Sequence, residues 1–365
     1  MAELIVKTQN IIKNIEKLDA TLKKHNKQWS LVSKVLSGDI EFLKKILTDN
    51  VVERLHSVGD SRLSSLQSIK KVNPDIVTIY IKPPASQLAR SIVKCADISV
   101  NTSAATIEVL NKEAKKQKKI HKVIIFLELG ELREGVMREN IVDFYKKVFN
   151  LSNIEIIGIG SNLGCMYGIE PTYDKLVQLG LYKQLLEEKF ERKIPYVSGG
   201  SSITLPLLNK RLVPGPVNHF RIGEAAFFGT SPLDDKRFGN LSTDTFTFSA
   251  NIIEMSEKHN VPDGIMGEGN IGHVVKREEQ DEGSKSYRAI CDFGMLDVDV
   301  DDINPKDKNV KFLGTTSDMT VYDVGQNLNS KMKQKYRVGN RLNFKPNYMA
   351  VARSMNSKFI DLKIQ

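Results

Sequence analysis

Short apolar runs alternate with amphipathic helical segments along the first two thirds of this chain, and no other feature restricts its fold as much. The runs cover residues 31–35, 55–58, 76–81, 97–101, 123–129, 154–159, 194–197 and 218–222. Between them, residues 64–72, 85–94, 102–117, 140–150 and 173–189 carry apolar side chains at helical spacing with charges on the opposite face. Residues 8–25 open the series with Ile11, Ile12, Ile15, Leu18 and Leu22 on one side of a helix. Strands separated by helices pair in parallel, because each crossover returns the chain to the same end of the sheet. Eight such units in about 200 residues predict an α/β fold, a (β/α)8 TIM barrel. No fixed-period repeat points to a solenoid instead.

The texture changes near Phe238. Residues 243–253, 287–293 and 341–344 alternate Thr, Ser, Val and Phe between Gly and Asp turns, which predicts a C-terminal mostly-β domain. The expected division is a barrel over residues 1–236 and a β-rich domain over 237–365. Residues 264–286, rich in Gly, Glu and Lys, read as a loop or hairpin within the second. A chain of 365 residues with 41% hydrophobic content can support both cores.

The net charge of +9 is spread along the chain. Its densest group, residues 112–122, continues the helical pattern of Ile107, Leu110 and Ala114, and no aromatic residues interleave it. Nucleic-acid binding is therefore not expected, whereas attraction of small anions is. Cys95, Cys165 and Cys291 are too few and too far apart for a disulfide framework or a zinc knuckle. That predicts no metal site and suits a reducing cytoplasm. Residues 1–6 lack a signal-peptide pattern, and no apolar run approaches the roughly 20 residues that span a bilayer, so no membrane association is expected.

A barrel carries its chemistry at the C-terminal ends of its strands. Here those ends read Lys34; Asp60-Ser61-Arg62; Asn101; Glu128 through Gly135; Ser161-Asn162; Ser198-Gly199-Gly200-Ser201-Ser202; and Arg221-Ile222-Gly223-Glu224. Each alone is an ordinary cap or turn. Together they suit an anionic ligand, since Gly199 and Gly200 let backbone N–H groups approach a phosphate and Ser201 and Ser202 add hydroxyl donors. Lys34, placed on the first strand, is expected as a desolvated amine, the form that condenses with aldehydes such as pyridoxal phosphate. A lysine facing a phosphate cradle on strands seven and eight is the layout that cofactor needs.

Four segments carry a family resemblance: Leu31-Val32-Ser33-Lys34, Leu129-Gly130-Glu131-Leu132-Arg133-Glu134-Gly135, Val197-Ser198-Gly199-Gly200-Ser201-Ser202, and Arg221-Ile222-Gly223-Glu224. The chain resembles the fold-type III pyridoxal-phosphate enzymes of the alanine racemase superfamily, above all the ornithine racemase branch. Gly314-Thr315-Thr316-Ser317-Asp318 extends the likeness into the second domain. The resemblance implies a racemase of an amino-acid substrate, ornithine or another basic amino acid, working as a cytoplasmic homodimer. It implies that Lys34 holds the cofactor and acts as a base at Cα. Arg221 would face the pyridine nitrogen, and Arg133 the phenolic oxygen or the substrate carboxylate. Asn162 would stand in the cofactor site where relatives carry a histidine. Ser201, Ser202, Gly223 and Glu224 would hold the phosphate, with the Glu224 side chain turned away from it.

One departure matters for mechanism. The relatives place a tyrosine of the partner subunit after a glycine in a Gly-Tyr-Ala-Asp segment, as the second base; the matching segment here reads Gly294-Met295-Leu296-Asp297. Methionine carries no proton, so Asp318, Asp297, Cys165 or a water must serve. Two other readings compete. A non-catalytic pyridoxal-phosphate carrier would lack the long C-terminal segment found here, and a lyase or decarboxylase on the same barrel would not need the second base.

Overall fold

A computed structural model describes residues 1–265, 272–274 and 283–365 and divides into two compact units, Thr8–Thr243 and Met1–Lys7 with Asp244–Gln365. Most of the segment 264–286 singled out above lies outside the described residues. The first strand, β1 (Glu3–Val6), belongs to the second unit. Helix α1 (Thr8–Lys24) starts the first, burying Ile11, Ile15, Leu18 and Leu22 as their spacing predicts.

Strands β2 (Gln28–Val32), β3 (Ser57–Asp60), β4 (Thr78–Tyr80), β5 (Ile98–Asn101), β6 (His121–Phe126), β7 (Ile154–Gly160), β8 (Tyr196–Ser198), β9 (Gly200–Ser201) and β10 (His219–Ile222) follow. The helices between them are α2 (Ile40–Ile46), α3 (Asp49–Val52), α4 (Leu63–Val72), α5 (Ala89–Cys95), α6 (Ala104–Lys116), α7 (Ile141–Val148), α8 (Tyr173–Phe190) and α9 (Leu205–Asn209), with α10 (Glu224–Phe228) after β10. All neighbours pair in parallel, in the order β8-β7-β6-β5-β4-β3-β2-β10-β9. Strands β8 and β9 are one stretch broken at Gly199. Its first half pairs with β7 and its second with β10, which closes the ring. The result is the expected barrel, with Ile79, Ile98, Val100, Ile124, Phe126 and Ile157 packed together in its core. These strands are covered on both faces, so they read as apolar runs rather than alternations.

One boundary differs in a way that bears on the site. Strand β2 stops at Val32, and Lys34 opens a single 3-10 turn, Lys34–Leu36, closed by Ser37 and Gly38 with φ of 51° and 74°. Val35 and Leu36 are buried from the turn, so the apolar run outlasts the strand. Lys34 is consequently exposed rather than held in a strand.

The second unit is built on β11 (Phe246–His259), paired with β13 (Lys285–Cys291) and β17 (Arg341–Pro346). Around them lie β12 (His273–Val274), β14 (Ile303–Pro305), β15 (Lys311–Thr315), β16 (Thr320–Asp323), helix α11 (Tyr348–Ser354) and β18 (Asp361–Ile364). Phe248, Phe293, Tyr322 and Phe344 meet at its centre, with ring centroids 5.1 to 6.4 Å apart. Strand β1 inserts between β11, antiparallel, and β18, parallel, with Leu4 and Val6 turned inward. The first seven residues therefore join the β-rich unit, not the barrel to which residues 1–236 were expected to belong.

Candidate active site

The C-terminal ends of the barrel strands converge on one mouth. Beside Lys34 lies Asp60, buried at the end of β3, whose Oδ1 accepts the Arg62 N–H at 2.9 Å while Oδ2 has no partner. Burial pushes this carboxyl above its usual range, against the lowering pull of the Arg62 and Ser61 N–H groups and the Lys34 charge. Tyr80, ending β4, is also buried, and its hydroxyl is pushed up by burial and by Asp60. Sequence reasoning noted Asp60 only as a strand end and missed Tyr80. An acid or phenol closing a strand carries no local signal beyond capping.

Beyond β6 the chain turns back so that Glu128 N–H donates to the Val136 carbonyl at 3.0 Å. A Cβ on Gly135 would come within 2.3 Å of the Glu128 nitrogen, so this close approach requires glycine. The loop presents Glu131, 1% exposed, to residues 164–169 of the next crossover. Its carboxylate accepts the N–H groups of Gly164, Cys165 and Tyr167 at 2.9 Å, Ile169 at 3.2 Å, and Met166. Burial alone would raise this carboxyl; the converging N–H groups overcome that and hold it at about 2. Glu131 is thus the organiser of two loops of the mouth, a role the sequence did not reveal. Arg133, two residues on, is clamped in a two-pronged pair with Glu134, which secures its charge.

Arg221 crosses the barrel top from β10 and is 8% exposed. Its guanidinium donates to the Ser198 carbonyl and hydroxyl, both at 2.6 Å, and to the Ser161 carbonyl at 2.8 Å, and it stacks on Phe126. Burial lowers its pKa to about 10, which still leaves it charged at neutral pH. Three bonds leave part of the guanidinium's donor set uncommitted. Asn162 adds a buried Nδ2 that has no partner. Ser202 is buried, with Oγ accepting the Ala225 N–H at 3.1 Å, while the Ser201 N–H donates to Thr204 at 3.2 Å. Glu224 points to the Thr230 hydroxyl, 3.5 Å away, and burial raises its carboxyl to about 7.

Gly200 is dictated by packing as well as by the site. A Cβ there would lie 2.3 Å from the Phe220 ring. Gly200→Ala is expected to destabilise the protein by about 1–3 kcal/mol through overpacking, read as a lowered urea midpoint; an unchanged midpoint would show that Phe220 moves freely.

In the second unit the structure brings Asp297 and Asp318 into one loop cluster. The Met295 and Leu296 N–H groups donate to the carbonyls of Thr316 and Ser317 at 2.9 and 3.0 Å. Asp297 caps its own turn by accepting the Gly294 N–H at 3.1 Å, and burial, Asp292 and Asp318 raise its carboxyl. Asp318 is exposed and accepts the neighbouring Ser317 hydroxyl at 3.2 Å. Among the described residues no three acidic, His or Cys side chains gather as a metal site, and no helix is long and apolar enough to cross a membrane.

Three known proteins frame this geometry. Over 321 residues, 86% of this chain and 88% of its own, the ornithine racemase of Acetoanaerobium sticklandii is 32% identical. The lysine racemase of Thermotoga maritima is 29% identical over 358 residues, 98% of this chain and 97% of its own. The alanine racemase of Bartonella henselae, solved with covalently bound pyridoxal phosphate, superposes with a TM-score of 0.73 at 15% identity, covering all of this chain and 99% of that one, a likeness of fold. The family model for the alanine racemase N-terminal domain matches residues 6–232. The chain belongs to the alanine racemase family.

Proposed function

We propose that this protein is a pyridoxal-phosphate-dependent racemase of a basic amino acid, of the ornithine and lysine class its relatives are named for. The observation that carries the reading is Arg221, a buried, charged guanidinium with uncommitted donors, on the strand next to the one leading to Lys34. The mouth fits the cofactor: it offers Arg221 for a ring nitrogen, the orphaned Asn162 Nδ2, and the Ser201 and Ser202 hydroxyls on the glycine turn. In our reading Lys34 anchors the cofactor, Arg221 holds its ring nitrogen, Arg133 and Asn162 flank it, and Ser201, Ser202, Gly223 and Glu224 receive its phosphate through hydroxyl and backbone N–H groups. Glu224 contributes its backbone, since its side chain is engaged with Thr230.

When bound, the cofactor acts as an electron sink that makes the substrate's Cα–H acidic. Lys34 then takes or returns a proton at Cα from one side. Arg221, which stays protonated at neutral pH, would donate to the ring nitrogen without surrendering a proton to it. Burial at the barrel top excludes water from Arg221 and strengthens its electrostatic action. A time course of optical rotation over a panel of amino acids, with pyridoxal phosphate supplied, tests the function; decay toward zero for ornithine or lysine supports it, and a new amine or aldehyde product in place of inversion refutes it.

A racemase must move a proton on both faces of Cα, and Lys34 reaches only one. We assign the second role to Asp318, supplied by the second unit of a partner subunit, in preference to Asp297, whose carboxylate is occupied in its turn. The same loop cluster exposes Leu296, at 82%, and Met319, at 42%, which supports burial against a second copy in a homodimer. The three free cysteines are consistent with a cytoplasmic setting. Asp318→Asn should preserve Cα hydrogen exchange from one enantiomer and stop it from the other. Equal loss for both would make Asp318 a binding or structural residue.

A further inference from the structure

We propose that His219 is a positioning residue that holds Arg221 through Ser198, and that Arg221 sets the direction of a buried hydrogen-bond chain running from itself to His56. The importance of that chain for cofactor binding rests on the reading of Arg221 given above; its existence and direction do not. From Arg221 Nη1 the contacts run to Ser198 Oγ at 2.6 Å, from there to His219 Nδ1 at 2.8 Å, and from His219 Nε2 to Ser30 Oγ at 2.9 Å. They continue from Ser30 to Ser57 Oγ at 2.6 Å and from Ser57 to His56 Nδ1 at 3.2 Å. Ser198, His219, Ser30 and Ser57 are all buried.

Direction follows from counting protons. A guanidinium has only donors, so Ser198 Oγ accepts from Arg221. The single Ser198 hydroxyl proton then has His219 Nδ1 as its acceptor. Were Nδ1 protonated instead, a buried hydroxyl proton would be left without a partner, which is costly. His219 lies in the barrel core beside Arg221 and is neutral, its pKa driven well down by burial, His56 and Arg221. Its one proton therefore sits on Nε2 and is donated to Ser30, which donates to Ser57, which donates to His56 Nδ1. The His56 and His219 rings meet edge-on at 4.8 Å, and Tyr196 packs on His56 at the same distance, so the ring planes are held. Withdrawal of the Ser198 proton toward His219 keeps an oxygen lone pair aimed at Arg221. This adds a side-chain anchor to the bonds that the Ser198 and Ser161 carbonyls give the guanidinium.

The chain has six histidines in all, few enough to resolve after 15N-histidine labelling. In the holoenzyme near neutral pH, the resonance pair lost in His219→Phe should show a pyridine-type Nδ1 and a pyrrole-type Nε2. Ser198→Ala removes the donor to Nδ1 and should shift this pair toward a tautomer mixture. A protonated Nδ1 in the wild type, or no shift in Ser198→Ala, would overturn the proposal. As a second readout, His219→Phe should weaken pyridoxal phosphate binding about tenfold, whereas His219→Asn, whose side-chain oxygen can replace Nδ1 as acceptor, should bind near the wild-type level. Equal weakening in both variants would reduce His219 to a packing residue. Failure of the wild type to bind the cofactor would refute the proposed function, while the tautomer measurement on that same protein would still decide the chain.

Discussion

Lys34→Ala is expected to lower turnover by on the order of 10³-fold or more while leaving the melting temperature close to that of the wild type. The two outcomes separate because of where the residue sits. In the turn Lys34–Leu36 the packing is done by Val35 and Leu36, both fully buried, while the Lys34 side chain is exposed at the barrel mouth. Truncating it opens no core cavity. What it removes is the amine proposed to anchor the cofactor and to carry the proton at Cα, and no other lysine lies on that turn. The charge of Lys34 also restrains Asp60, so its loss should push that buried carboxyl further up. A folded variant that retains activity would exclude Lys34 from the chemistry, and a variant that fails to fold would make it structural.

The barrel was legible because its signal is local and repeated: each apolar run and each amphipathic helix can be read within a dozen or so residues. The strand ends then follow from topology, which is why Lys34, Asn162, Ser201 and Arg221 arrive at one mouth although they are scattered over the sequence. Features that depend on distant pairing were not legible. Strand β1 finds its place against residues 246–249 and 361–364, a register of four residues with no local mark. The end of β2 was overrun because Val35 and Leu36 are apolar for the sake of a turn. Ser30, Ser57, Ser198 and His219 read as ordinary polar residues on strands, since only the closed ring brings their side chains within hydrogen-bond distance of one another.

Glu131 is the strongest case of a residue whose role appears only in three dimensions, and Glu131→Gln is expected to cost about 3 kcal/mol of stability at neutral pH. The carboxylate gathers five backbone N–H groups from residues 164–169, a segment more than thirty residues further along the chain. An amide keeps one acceptor oxygen and turns an NH2 toward the remaining donors, leaving some of them unpaired. The pH dependence isolates the charge. The group is held at about 2 when folded and returns toward its ordinary value near 4.5 when unfolded, so its contribution is complete above that ordinary value and is lost as pH falls toward about 2. Urea unfolding of both proteins over that range should therefore show a gap that narrows steadily with acid, because a protonated glutamate is nearly a glutamine in charge. A gap that stays constant with pH would mean that Glu131 acts through shape rather than charge. Since Cys165 is among the residues it binds and the unpartnered Asn162 amide lies two residues before the first of them, loosening this segment should also weaken cofactor affinity, even though Glu131 is not proposed to touch the cofactor.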